Sequence, residues 1–182
     1  MANRLIRSCC AALALLAAPC AAPDSAAAAT PTPIPTVVLP LDMQVEMQMG
    51  DIGLVPEPTK AEQARIGLAT GELRRLMSET GRYEVLDISA READIRKAAP
   101  FNKCNGCEVE IAKAAGAKLA VTGVVQKASE LLLNVSLFVR DVTTGEVIKS
   151  MAVSIRQNND ESWLRAIRSL VKNRLATEEE TK

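Results

Sequence analysis

The stretch 118-KLAVTGVVQKASELLLNVSLFVRDVTTGEVIKSMAVSIR-156 decides the fold. It holds three β-rich runs, separated by the short breaks Ser129-Glu130 and Thr143-Thr144-Gly145. In the middle run Leu131, Leu133, Val135, Leu137 and Val139 fall on one side at a period of two, while Asn134, Ser136 and Arg140 fall on the other. Alternation of this kind predicts an antiparallel sheet with one covered face and one wetter face. The breaks are short enough for hairpin turns.

Upstream of these runs the pattern is that of alternating strands and helices. The run 36-TVVLPLDM-43 predicts a first strand, followed by a long Gly- and Pro-bearing loop, Gln44 to Pro58. Thr59 and Glu62 form a T-x-x-E capping box at the start of a helix, in which Ile66, Ala69, Leu73 and Leu76 recur at helical spacing. Gly81 supplies its left-handed stop. The segment 82-RYEVLDI-88 predicts a second strand, and Ser89 with Glu92 repeats the capping box for a helix that ends before Pro100. Residues 108-EVEIAKAAGA-117 predict a helix of about two turns closed by Gly116. After the three runs, Asn158 and Glu161 have capping-box spacing, and Leu164, Ile167, Leu170, Val171 and Leu175 form the apolar stripe of a last helix. The order β-α-β-α-α-β-β-β-α predicts an α/β fold with a single mixed five-stranded sheet and about four helices. Right-handed crossovers put the second and third strands on opposite sides of the first. The expected strand order is 2-1-3-4-5, the last strands forming an antiparallel meander.

The N-terminus carries an address. In 1-MANRLIRSCCAALALLAAPCAAPDSAAAA-29, Arg4 and Arg7 precede a short apolar run and then small residues, the order of a secretory signal peptide. The apolar run is shorter than the ~20 residues a membrane span needs. Cleavage is expected after Ala29, and the separated arginines fit a general export route. The alternative is lipidation at Cys20 in 16-LAAPC-20, although Pro19 stands where a small residue is expected. Residues 30–36 then read as a Pro-rich linker, 37–176 as the folded domain and 177–182 as a polar tail. No transmembrane segment is expected after signal removal, so the chain is expected in the periplasm, secreted or anchored through Cys20.

Leader removal takes Cys9, Cys10 and Cys20, leaving Cys104 and Cys107 of the five cysteines. An even pair in an oxidising compartment is expected to form a structural disulfide. A redox-active pair would also sit ahead of a helix, but Glu108 and Glu110 disfavour a thiolate there. A zinc site draws on about four ligands, and the chain has no His and no third cysteine beyond the leader. Without His there is no Ser-His-Asp triad and no imidazole base, and no phosphate-binding or dinucleotide glycine motif occurs. No catalytic residue, metal or cofactor is expected. Lys+Arg and Asp+Glu balance at 22 each, which gives no basic footprint for nucleic acid.

Candidate partner contacts are Met43 at the end of the first strand, Met47 and Met49 in the long loop, and Arg165, Arg168 and Lys172 on the last helix. The methionines suit an adaptable apolar lining or a Cu(I) site, and equally a gap-filling role. The basic residues suit an acidic partner or a solvated face. Trp163, the only Trp, is either an interface anchor or a plug between helix and sheet. The loop 44–58 and the cysteine turn are expected to border one crevice where the strand order reverses.

The segment from Ala114 to Val171 resembles an uncharacterised family of secreted bacterial proteins. It carries the family's Gly-x-Val-type strand, a "VRD-x-x-TG" hairpin (Val139 to Gly145) and an "N-x-DESW" helix start (Asn158 to Trp163), and departs at Lys118, where an acidic residue is expected. That family's fold resembles the N-terminal domain of TolB, the propeller protein of the Tol-Pal system, and the core of the curli secretion lipoprotein. The resemblance implies an α/β domain, a periplasmic address and partners among periplasmic or outer-membrane proteins, with no established catalytic residue. The expected function is an exported, non-enzymatic binding or assembly module of the cell envelope. The alternative is a small thiol–disulfide or soft-metal handling protein.

Overall fold

The computed structural model describes residues 32–46 and 57–177. The leader, Cys20, Met47, Met49 and most of the loop 44–58 lie outside the described residues. The elements are β1 (Ile34–Val38), β2 (Asp42–Val45), α1 (Lys60–Glu79), β3 (Tyr83–Val85), α2 (Glu92–Ala98), α3 (Cys107–Ala114), β4 (Leu119–Ser129), β5 (Leu132–Asp141), β6 (Val147–Ile155) and α4 (Asp160–Leu170). A 3₁₀ turn, Ser89–Arg91, leads into α2, and α4 runs on into a π-type turn, Val171–Leu175.

The sheet is mixed and has six strands, in the order β3-β1-β4-β5-β6, with β2 also beside β4. This differs from the expected five-strand order because the first expected strand is two strands. Val38 pairs with Val121 and Asp42 with Val124, so four steps on one strand match three on the other. One residue too many, in a stretch containing Pro40, which has no amide to donate, breaks the ladder there. Helix α1 serves the break. Arg74 Nε and Nη2 both donate to the Val38 carbonyl, at 3.0 and 2.8 Å, and Thr70 Oγ1 accepts from the Leu41 amide at 3.1 Å.

β1 is parallel to β3 and β4, whereas β4, β5 and β6 form the antiparallel meander. On one face Leu133, Val135, Leu137 and Val139 of β5 pack under α1 and α4 with Leu73, Met77, Trp163 and Ile167. Leu131 is an exception to the expected stripe: it sits in the β4–β5 turn and is 71% exposed. The other face carries a smaller cluster in which Val37, Leu39 and Ala120 meet Ile95, Phe101 and Ile111 from the α2–α3 region.

Thr59 caps α1 with the full capping box. The two other expected boxes are absent. Ser89 is held by Asp87, whose carboxylate accepts both its amide and its hydroxyl at 2.9 Å, so the first turn is 3₁₀. At α4 the cap is Asn159, one residue later than expected, whose side chain accepts from Ser162 N at 2.9 Å.

Candidate functional site

Three places bring polar chemistry together. The first lies where α1, the β4–β5 turn and the start of α4 meet. Glu62 Oε1 accepts from Lys127 Nζ and Asn158 Nδ2, each at 2.7 Å, while Oε2 accepts from Thr59 N at 2.8 Å and Thr59 Oγ1 at 2.9 Å. Lys127 also contacts Glu130. Asn158 Oδ1 takes the indole N–H of Trp163 at 3.1 Å and Arg65 Nη1 at 3.3 Å. Burial alone would push the Glu62 carboxyl up, but the donors from Lys127, Thr59 and Asn158 outweigh it and hold its pKa at about 2. Burial opposes the charge on Lys127 too, and its two carboxylates raise its pKa nonetheless. Every group here is spent on another, which makes this corner a clamp. It also accounts for "N-x-DESW": Asn158 is the hub, Asn159 the cap, and Trp163, 1% exposed, a core residue rather than a surface anchor.

The second place is the cysteine corner. Cys104 and Cys107 form a disulfide with Cα atoms 5.8 Å apart, packed against the smaller core cluster. The preceding Ala99–Pro100 peptide is cis. Cys107 opens α3 behind Gly106, whose φ of 93° lets the chain turn into the helix. The next residue, Glu108, is buried. Its Oε1 lies 2.9 Å from Arg140 Nε, and its Oε2 lies 3.3 Å from Cys104 Sγ. Arg140 comes from the "VRD-x-x-TG" hairpin. In that turn Asp141 Oδ1 accepts from Thr143 N at 2.7 Å and Thr144 N at 2.9 Å, and these bonds hold the Asp141 carboxyl below its ordinary range. A cavity of about 470 Å³ opens over the disulfide, bounded by Glu108, Arg140 and Gly145.

The third place is surface. β6 is hydrogen-bonded to β5 along one side, and among the described residues no strand pairs its other side. A groove of about 460 Å³ runs between β6 and α4. The charged residues lining it are Arg156 and Arg165. Arg165 reaches Glu161 at 3.5 Å, and Arg168 reaches Glu72 of α1 at 3.0 Å and the same Glu161 at 3.8 Å. Lys172 is exposed in the π-type turn. Arg165 and Arg168 therefore meet at Glu161, and of the three basic residues only Arg165 lines the groove. Met43 borders a separate cavity of about 680 Å³ with Asp42, Glu46, Pro58, Pro100 and Lys103. Burial raises the Asp42 carboxyl, partly opposed by bonds from the Asn102 and Phe101 amides.

Sequence reading used Glu108 only as an acid that disfavours a thiolate beside the cysteines, and did not single out Arg140 or Arg156 as site residues. Only the fold turns Glu108 inward beneath Cys104.

Residues 40–175 match the model of the DUF3280 family, described as "Protein of unknown function (DUF2380)", and the chain belongs to that family. No curated protein matches the chain. Among solved structures, lipoprotein GNA1162 from Neisseria meningitidis matches at a TM-score of 0.50 and 17% identity, over 80% of this chain and 98% of that one. The LpoB C-terminal domain from Salmonella enterica matches at 0.49 and 15%, over 69% and 84%. TolB from Acinetobacter baumannii matches at 0.43 and 14%, over 82% of this chain and 30% of that one. At such identities the likeness is one of fold, and it is the GNA1162 match that carries it.

Proposed function

We propose that this member of the family is an exported, non-enzymatic binding or assembly module of the bacterial cell envelope, acting in the periplasm or tethered through Cys20. The single observation that carries the reading is the side of β6 that no strand pairs among the described residues, beside a groove whose charges are both basic. An open edge offers a row of backbone donors and acceptors to an added strand, and the groove reads the added strand's side chains. The occupant proposed is an extended, acidic segment of a periplasmic or outer-membrane protein, with Arg156 and Arg165 facing its carboxylates. Support for the address comes from the leader-like residues 1–29 and from a fold shared with a protein that is itself a lipoprotein. No helix among the described residues is long and apolar enough to cross a membrane. The balanced charge of 22 basic and 22 acidic residues argues against nucleic acid as the partner.

Photo-crosslinkers placed at Ser154 on β6 and at Lys60 on α1, in cells that export the protein, test this. Adducts at Ser154 that disappear with the Arg156→Glu/Arg165→Glu variant are expected, with none at Lys60. Equal labelling at both positions, or adducts indifferent to the charge reversal, would move the binding surface elsewhere.

A further inference from the structure

Glu108 poses a chemical question. Its side chain is 6% exposed, and a buried carboxylate needs donors on both oxygens. Arg140 serves Oε1. Oε2 faces Cys104 Sγ at 3.3 Å, and a disulfide sulfur has no proton to give. In the oxidised corner Oε2 therefore faces a sulfur that has no proton to give, at the edge of the cavity over the disulfide.

With the disulfide in place, Sγ of Cys104, Sγ of Cys107 and a carboxylate oxygen of Glu108 all lie within 4.8 Å of one another, and reduction would free both sulfurs as ligands. Metal–ligand bonds of 2.0–2.3 Å place tetrahedral donors roughly 3.5 Å apart, a spacing inside the 4.8 Å within which these three atoms already lie. Two thiolates and one carboxylate carry three negative charges. A divalent cation supplies two positive charges and the Arg140 guanidinium supplies the third, which balances the three ligands and leaves the exposed Glu110 carboxylate as the one further charge lining the cavity. Two sulfurs with one oxygen suit Zn²⁺ better than Cu(I), for which a carboxylate is too hard, or Mg²⁺, for which thiolates are too soft. The cavity over the disulfide leaves a fourth position for water, as in zinc sites with three protein ligands.

From this geometry we infer that reduction of Cys104–Cys107 turns the corner into a Zn²⁺ site with Cys104, Cys107 and Glu108 as ligands. A dithiol reductant delivers two electrons and two protons to the S–S bond, leaving two protein thiols and a disulfide on the reductant. Zn²⁺ then displaces the two thiol protons to solvent. The inference is independent of the edge-strand reading, since it uses neither β6 nor its groove.

The test is a Zn²⁺ titration of the full chain against a chromophoric chelator, before and after reduction with a phosphine, alongside the Cys104→Ser/Cys107→Ser variant. That variant retains Cys9, Cys10 and Cys20 and so subtracts whatever they bind. One additional equivalent in the reduced wild type, absent from the oxidised protein, is expected. Glu108→Gln should weaken it at least about tenfold, as loss of a ligand does more than loss of the outer-shell partners that cost that much. If that variant does not fold, protection of Cys104 and Cys107 from alkylation by Zn²⁺ in the reduced wild type decides instead. A reduced wild type that binds no more Zn²⁺ than the double-serine variant overturns the site. So does a folded Glu108→Gln protein with undiminished affinity, and so does alkylation at the same rate with and without Zn²⁺.

Discussion

At the scale of single residues, the Glu62–Lys127 pair is the most exacting feature of the molecule. Both side chains are nearly fully buried, at 2% and 6% exposed, and both are fully bonded. Breaking such a pair strands a charge, so Lys127→Met is expected to cost about 3–5 kcal/mol in urea unfolding. Adding Glu62→Leu should recover a large part of that loss, leaving only the capping contribution at Thr59. The pair also sets an acid dependence. The Glu62 pKa is lowered from 4.5 to about 2, so its contribution is fully present above pH 4.5 and is lost as pH falls towards 2. Asp42 acts with the opposite sign, because its pKa is raised and its charge opposes folding near neutrality. Asp42→Asn is therefore expected to steepen the acid-induced loss of stability, measured as the unfolding midpoint between pH 5 and pH 2. The disulfide matters less. It closes a loop with a sequence separation of 3, for which the chain-entropy model gives only about 2 kcal/mol. The Cys104→Ser/Cys107→Ser protein should fold with about that deficit, and failure to fold would show that the corner holds the smaller core together.

At the scale of elements, what the sequence disclosed and what it withheld have one cause. Periodicity and caps are local, so the meander, α1 with its Thr59 cap and the apolar stripe of α4 were all legible. The break between β1 and β2 was not, because it exists only in the register against β4. The inward turn of Glu108 and the shift of the α4 cap to Asn159 depend in the same way on contacts distant in sequence. Two glycines test the reading of elements. At Gly123 in β4 an added Cβ would lie 2.5 Å from Leu137 Cδ2, 2.6 Å from Leu41 Cδ2 and 2.9 Å from the Ser136 carbonyl oxygen. Side chains can shift, but that carbonyl is backbone of the central strand β5, paired on both sides, so Gly123→Ala is expected to destabilise by about 1–3 kcal/mol. Gly67 inside α1 has nothing within 4 Å of an added Cβ, and Gly67→Ala should stabilise by about 0.5–1 kcal/mol. Thermal melts of the two variants should move in opposite directions. At the strand break, Thr70→Val removes the acceptor for the buried Leu41 amide and should cost about 1–3 kcal/mol.

At the scale of the whole molecule, helices cover the sheet unequally. α1 and α4 cover one face across β4, β5 and β6. The cluster on the other face takes no residue from β5 or β6. There Asn134, Ser136 and Phe138 pair across the strands with Ser154, Ala152 and Ser150, and the β6 members of these pairs are exposed. The disulfide and the second core cluster thus lie at the β1–β4 end, whereas the described contacts of β6 are the β5 ladder, α4 and a bond from Lys149 Nζ to the Arg174 carbonyl. β4 is bonded to β1 and β2 on one side and to β5 on the other, whereas β6 pairs with β5 alone among the described residues. Local opening therefore needs less disruption at β6. Amide hydrogen exchange of the isolated protein should show β4 exchanging only through global unfolding, with the outward-facing amides of β6 at least about tenfold faster. An acidic peptide that adds to the edge should slow those amides selectively, while leaving β4 and α1 unchanged. Protection of β6 equal to that of β4 before any partner is added would mean that the edge is already covered within the chain. The docking surface would then have to be the uncovered Ser- and Asn-bearing face instead, because it is the other surface that the helices leave open at that end of the sheet.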